Sequence, residues 1–311
     1  MNDVPPGDAP ARAHGFLEAA AARLMCPVDE VCRVVGTPFD QRTSADAGAF
    51  QSIATVADEL LRRRRYTQAI VDGFYVSARK GQSGEGTFVS GLEALSAHGY
   101  QPDAVASLPV SVARRFLGLG NVWREVESLD AIRLLDVGCG AGADMGVAHH
   151  LAGGSARIVG LDSRPDLLGF AANAGPSSLL VVGDVMALPF AKRSFDVVVA
   201  NGLPPLQRPS TMAMSARQLC SVTVAGGRVA ASVLVAAPTL LDELLVEFAD
   251  HGRDFGRNLA TLATGKPTVE DVESAFIAVG AEVRLRLGAN PYLDAADRAE
   301  TAMLEVVATP R

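Results

Sequence analysis

Cysteine is scarce in this chain. Four occur in 311 residues: Cys26, Cys32, Cys139 and Cys220. So few thiols in so long a chain do not make a disulfide framework. No His or Cys pair recurs at ligand distances, so no metal site is expected. Basic residues are also in deficit: 28 Lys and Arg face 35 Asp and Glu, for a net charge of −7. An acidic chain with a pI near 5.3 argues against a nucleic-acid partner. Long apolar runs are missing. The most apolar stretch, Val229 to Leu241, is interrupted by Pro238 and is too short to span a bilayer. Residues 1–13 hold Pro, Asp and Ala without an apolar core, so no secretory leader is expected. No internal repeat is found. These absences leave a cytoplasmic enzyme as the expectation, and a hydrophobic content of 49% supplies it with a large core.

Read from its start, the chain divides in two. Residues 1–13 are expected to form a flexible tail. Helical spacing follows over Phe16–Met25, Pro27–Val35 and Phe50–Arg79, with Ile53, Val56, Leu60, Ile70 and Phe74 on one face of the last. Arg62–Arg65 reads as a solvated charge run on that helix. Gly81–Gly86 reads as a loop, and Leu92–Ala97 and Val110–Leu117 as short helices. From Ile132 the pattern changes to alternating strands and helices, with strands expected at 132–137, 156–161, 178–183, 195–200, 227–235, 281–287 and 302–308. The last two have a short polar connection and are expected to pair antiparallel at the sheet edge. The reading is a doubly wound, Rossmann-like α/β sheet of seven strands. A helical cap or lid is expected over 14–125, and the sheet domain over 126–311, with a lid insertion at 238–267.

The organising stretch is Leu134-Leu135-Asp136-Val137-Gly138-Cys139-Gly140-Ala141-Gly142. It reads as strand, tight glycine turn and helix, a build that admits a ligand close to the backbone. Gly138, Gly140 and Ala143 also satisfy the dinucleotide fingerprint, so a nicotinamide cofactor stays open on this stretch alone. Ligands of such sheets bind beyond the carboxyl ends of the strands. Asp136, Asp162, Asp184 and Asn201 stand at four of those ends. Each alone also reads as a cap or loop residue. Asp144, just inside the first helix, also reads as a partner of the helix dipole. His149-His150 reads as a packing pair. His98, Tyr100 and Tyr75 are the better candidates for a base, since they fall in the expected lid.

Asp136 through Gly142, the acid at Asp162, Gly183-Asp184 with Leu188-Pro189-Phe190, Ser194-Phe195-Asp196-Val197-Val198 and Gly226-Gly227-Arg228 together resemble the class I S-adenosylmethionine-dependent methyltransferases. The resemblance covers roughly residues 105–310. It implies S-adenosylmethionine as cofactor. Gly138, Gly140 and Gly142 would hold its methionine part, with Asp136 and Asp144 beside them. Asp162 would take the ribose, Ser163 would lie beside the adenine, and Asp184 with Val185 would hold the adenine amino group. Asn201 would sit near the reacting methyl, with Tyr100 and His98 as further catalytic candidates. The implied partner is a small-molecule acceptor, neither nucleic acid nor membrane, and a homodimer stays open.

A narrower resemblance lies upstream. Gly99-Tyr100-Gln101-Pro102-Asp103, Ser107-Leu108-Pro109 and Leu117-Gly118-Leu119-Gly120-Asn121 are similar to the lead-in of arsenite methyltransferases. That family binds As(III) through thiolates. Here Leu119 and Gly202 stand where its cysteines are expected, and neither substitutes for a soft ligand. Cys26 and Cys32, six apart on an expected helix, fall on different faces. Asn201-Gly202-Leu203-Pro204-Pro205-Leu206 lacks the spacing and the aromatic of the amino-methyltransferase Asn-Pro-Pro-Tyr block. The expectation is methyl transfer to a small organic acceptor, such as a secondary metabolite. Apolar lid segments (Phe88-Val89, Leu108, Phe116, Leu203–Leu206, Leu240–Phe248) favour a partly apolar one. The alternatives are arsenite methylation through rearranged thiols, or a noncatalytic cofactor-binding subunit.

Overall fold

The computed structural model describes residues 89–124, 129, 132–175, 178–203, 206, 209–247, 257, 260–261, 264, 266–289 and 301–311. The expected tail, the helices before residue 80, the Gly81–Gly86 loop, Cys26, Cys32, Tyr75, Phe88 and Pro204-Pro205 lie outside these residues.

The chain divides into two units, Met1–Ala69 with Thr239–Gly265, and Ile70–Pro238 with Lys266–Arg311. Helix α7 (Pro238–Glu247) runs into the first. The second holds the sheet. Its described elements begin with three short helices, α1 (Gly91–Ala97), α2 (Pro102–Ala106) and α3 (Val110–Ala113). The sheet then alternates: β1 (Arg133–Val137), α4 (Ala143–Leu151), β2 (Arg157–Asp162), α5 (Pro165–Ala171), β3 (Leu179–Val182) and β4 (Phe195–Asn201). After it come α6 (Pro209–Val222), β5 (Thr223–Ala236), α8 (Val269–Ile277), β6 (Ala281–Ala289) and β7 (Thr301–Pro310).

Seven strands run in the order β3-β2-β1-β4-β5-β7-β6. The first five pair in parallel, and β7 lies antiparallel between β5 and β6. The central strands read as near-continuous apolar runs because both faces are covered. Leu134, Val197, Val199 and Ala230 face a core with Leu95, Val112, Trp123 and Met145. Their neighbours Leu135, Val137, Val198 and Ala231 face Leu219, Val272 and Phe276. The seven expected strands are present, shifted by a residue or two, with β5 starting four residues early at Thr223.

Two expectations change. The described part of the cap, 89–124, does not form its own layer. Ala94, Leu95, Val112 and Trp123 share one core with β1 and α4, so it belongs to the sheet unit. Helix α3 ends at Ala113 rather than Leu117. There the Phe116 carbonyl accepts from Gly91 N–H at 3.0 Å, and its ring is buried edge-on to Tyr100 at 5.4 Å. Tertiary packing takes the last turn, and residues 115–120 leave the helix as a strap.

Candidate active site

Strand order reverses between β1 and β4, where their following helices go to opposite sides; such a switch point opens a crevice at the carboxyl ends. Here it is a cleft of about 360 Å³. Asp136, Gly138, Gly140, Asp144, Asp162, Ser163, Asp184, Val185 and Asn201 all line it. Gly142 does not. It caps α4, and a Cβ there would lie 2.9 Å from Ala171 Cα, so its smallness serves helix packing.

Three carboxylates converge on the cleft. Asp136 is 2% exposed, and its Oδ2 is buried without a hydrogen-bond partner. Burial, and then the charges of Asp144 and Asp162, hold its pKa well above the usual value. Asp162 accepts Gly140 N–H on Oδ2 at 2.8 Å and Arg164 N–H on Oδ1 at 2.9 Å. Burial raises its pKa and those backbone bonds pull it back. The Gly140 bond also shapes the turn. Gly140 has φ +52°, and a Cβ there would meet nothing within 4 Å: the open space belongs to whatever fills the cleft.

Asp144 is not merely a dipole partner. Its Oδ1 accepts Tyr100 Oη–H at 2.6 Å and Trp123 Nε1–H at 2.8 Å. Its Oδ2 lies 3.0 Å from Asn201 Nδ2. Burial raises its pKa, and these three donors oppose the rise. Asn201 ties the strap to the end of β4. Its Oδ1 accepts Leu119 N–H at 2.8 Å and Gly120 N–H at 3.2 Å, and Ser232 Oγ–H as well. Backbone donors fix that atom as the oxygen. Its Nδ2 lies within reach of Gly120 O and Tyr100 Oη. A Cβ on Gly118 would collide with Asn201 and Phe116, so only glycine lets the strap pass.

The structure does not bring Tyr100 and His98 into the cleft wall. Both are buried behind the strap. Tyr100 Oη is spent on Asp144, Gly120 O and Asn201, and burial raises its pKa well above the usual phenol range. His98 Nε2 donates to Gly118 O at 3.1 Å. Burial, then Arg124, lower its pKa to about 4, so the ring is neutral. His149 packs against Gly175 and meets Ser178 Oγ at 2.8 Å. Leu108 lies in the core beside Gly146, whereas Phe116, Leu117 and Leu203 do line the cleft. Sequence reading missed Arg115 and Arg164, which also line it. Arg164 follows a strand-end acid, a local signal; Arg115 has none.

The described cysteines are Cys139 and Cys220, both buried. Burial pushes the Cys139 thiol far up and Cys220 to about 12, so neither is a thiolate near neutral pH. Among the described residues no group of three His, Cys, Asp or Glu is placed to hold a metal ion. No described helix is long and apolar enough to cross a membrane.

This donor set fits S-adenosylmethionine. Its ammonium and sulfonium are cations, and the cleft offers the orphaned Asp136 carboxylate, Asp144 and Asp162.

Residues 134–227 match a family model described as a methyltransferase domain. Over 215 residues the chain is 27% identical to the arsenite methyltransferase of Halobacterium salinarum, covering 68% of this chain and 51% of that protein. Over 105 residues it is 33% identical to the malonyl-[acyl-carrier protein] O-methyltransferase of Erwinia pyrifoliae, covering 34% and 38% respectively. The chain therefore spans about half or less of the curated relatives it matches. Among solved structures, an arsenic(III) S-adenosylmethionine methyltransferase from Chlamydomonas reinhardtii matches with a TM-score of 0.52. It covers 67% of this chain and 72% of its own at 21% identity, a likeness of fold. The glycine turn and the strand-end acids fall within the matched span. Residues 134–227 carry a methyltransferase domain, with the glycine turn and strand-end acids that resemble those of the class I S-adenosylmethionine-dependent methyltransferases.

Proposed function

We propose that the protein transfers the methyl group of S-adenosylmethionine to a small organic acceptor with an apolar body. The cofactor supplies a methyl group already activated on a sulfonium. The chain's task is to hold the partners in line and keep water out. Asp136 and Asp144 compensate the cofactor's cations, Asp162 accepts from its ribose, and Ser163, Asp184 and Val185 surround its adenine. Asn201, Tyr100 and Asp144 hold the Leu117–Gly120 strap against β4. Tyr100 and His98 thereby act as positioning residues, not as bases on the acceptor. Phe116, Leu117 and Leu203 supply apolar wall.

The observation that carries the organic acceptor is the lining of the cleft. A soft arsenic acceptor calls for thiolates. Among the described residues the one thiol of that lining is Cys139, buried in the glycine turn, and Gly202 and Leu203 follow Asn201 along it. Similarity to the Halobacterium salinarum protein keeps arsenite as the second reading. The test incubates the chain with methyl-labelled S-adenosylmethionine and a small-molecule extract of its host, with arsenite plus thiol in parallel. Label on an organic product is expected. Label on arsenic overturns the organic reading, and cofactor binding without label anywhere favours a noncatalytic subunit.

A further inference from the structure

The cleft has two electrically different ends. Asp136 and Asp144 stand beside the glycine turn, whereas Arg115 and Arg164 line the cleft beyond Asp162. The carboxylates answer to the cofactor's cations; nothing in the reading so far uses the guanidiniums. Arg164 is turned toward Asp166, with Nη2 3.0 Å from its Oδ2. Arg115 is held otherwise. Its Cζ lies 3.7 Å from the centre of the Phe170 ring, and its Nη1 donates to the Ser111 carbonyl at 2.8 Å. Its Nε, like that of Arg164, is buried and has no partner among the described residues.

Those two contacts fix the guanidinium as a plane, which a lysine ammonium does not provide. Nε is buried, as it is in Arg164, so what Arg115 offers the cleft is the face of its plane. A fixed cationic plane, beyond the residue assigned to the ribose, suits the face of a flat π system.

We propose that Arg115 is a binding residue for the purine nucleoside of the cofactor, packing its guanidinium plane against the face of the base. This rests on the S-adenosylmethionine reading above and adds to it a residue from outside the sheet. The early end of α3 at Ala113 is what releases Arg115 into the strap, so one segment would cover the nucleoside with Arg115 and reach Asn201 with Leu119 and Gly120.

The test is calorimetry on the full chain with S-adenosylmethionine, S-adenosylhomocysteine and 5′-methylthioadenosine, the last carrying the nucleoside without the amino acid. R115A is expected to weaken all three by one common factor, about 3- to 30-fold, the span of a cation–π contact from exposed to desolvated. R115K, which keeps charge and stem but loses the plane, is expected to move in the same direction, and it decides the matter if R115A does not fold. D136N serves as the contrast, weakening the two ligands that carry an ammonium and sparing 5′-methylthioadenosine. Unchanged 5′-methylthioadenosine affinity in both Arg115 variants overturns the proposal, as does a loss confined to the amino-acid-bearing ligands. Native protein that binds none of the three removes the cofactor reading itself.

Discussion

Asp136→Asn tests the electrostatics of the cleft, because stability and binding should move in opposite directions. The side chain keeps its shape and loses its charge. In the unliganded protein, Oδ2 is buried with no partner. Burial and the charges of Asp144 and Asp162 push its pKa well above the usual carboxylate range. A carboxyl group whose pKa is raised on folding stabilises the folded state fully below its unfolded pKa. That contribution is lost as pH rises through the folded pKa. The variant escapes this loss. Thermal unfolding of the unliganded proteins between about pH 4 and pH 8 should therefore show the variant gaining on the native protein as pH rises. Cofactor binding should go the other way. Losing one hydrogen bond to a charged group costs about 1.5–3 kcal/mol, or roughly 10- to 150-fold in S-adenosylmethionine affinity by calorimetry. A variant that loses stability and keeps its affinity would refute the reasoning, since Asp136 would then be a structural keystone and not a cation site.

Asp162→Ala removes the acceptor of Gly140 N–H and Arg164 N–H together with the carboxylate proposed to bind the ribose. It should cost about 1–3 kcal/mol of cofactor binding, and equal calorimetric affinity would sink that assignment. Asn201→Ala orphans Leu119 N–H and Gly120 N–H and frees the strap. It should lower unfolding stability by about 2–6 kcal/mol, taking about 1–3 kcal/mol for each of the two buried groups left unmade; a denaturant midpoint unchanged from the native protein would show that the strap is held elsewhere. Gly140→Ala should cost about 1–2 kcal/mol of folding stability for its left-handed backbone. It should weaken cofactor binding further, because its methyl enters the open cleft; full retention of affinity would place the ligand away from the turn.

The sheet could be read from the sequence because its signals are local. Ile132–Val137 or Phe195–Asn201 announces a strand within a few residues, and Gly138, Gly140 and Gly142 announce the turn. Asp136, Asp162, Asp184 and Asn201 could be marked because a parallel sheet sends every strand's carboxyl end to one edge. What those side chains meet could not be read. Asn201 reaches Tyr100 across 101 positions and Leu119 across 82, and no spacing rule spans such separations. Hence the sequence offers Asp144 as a cofactor or helix-dipole partner and Tyr100 as a candidate base, and folding places both in one hydrogen-bonded cluster. Arg115 shows the same limit: its meeting with Phe170 depends on where α3 stops, and packing of Phe116 beneath the strap decides that, against the helical pattern of its own segment. Local periodicity determines which segments form strands and helices; the partners of each buried polar group follow only once the topology has brought distant segments together.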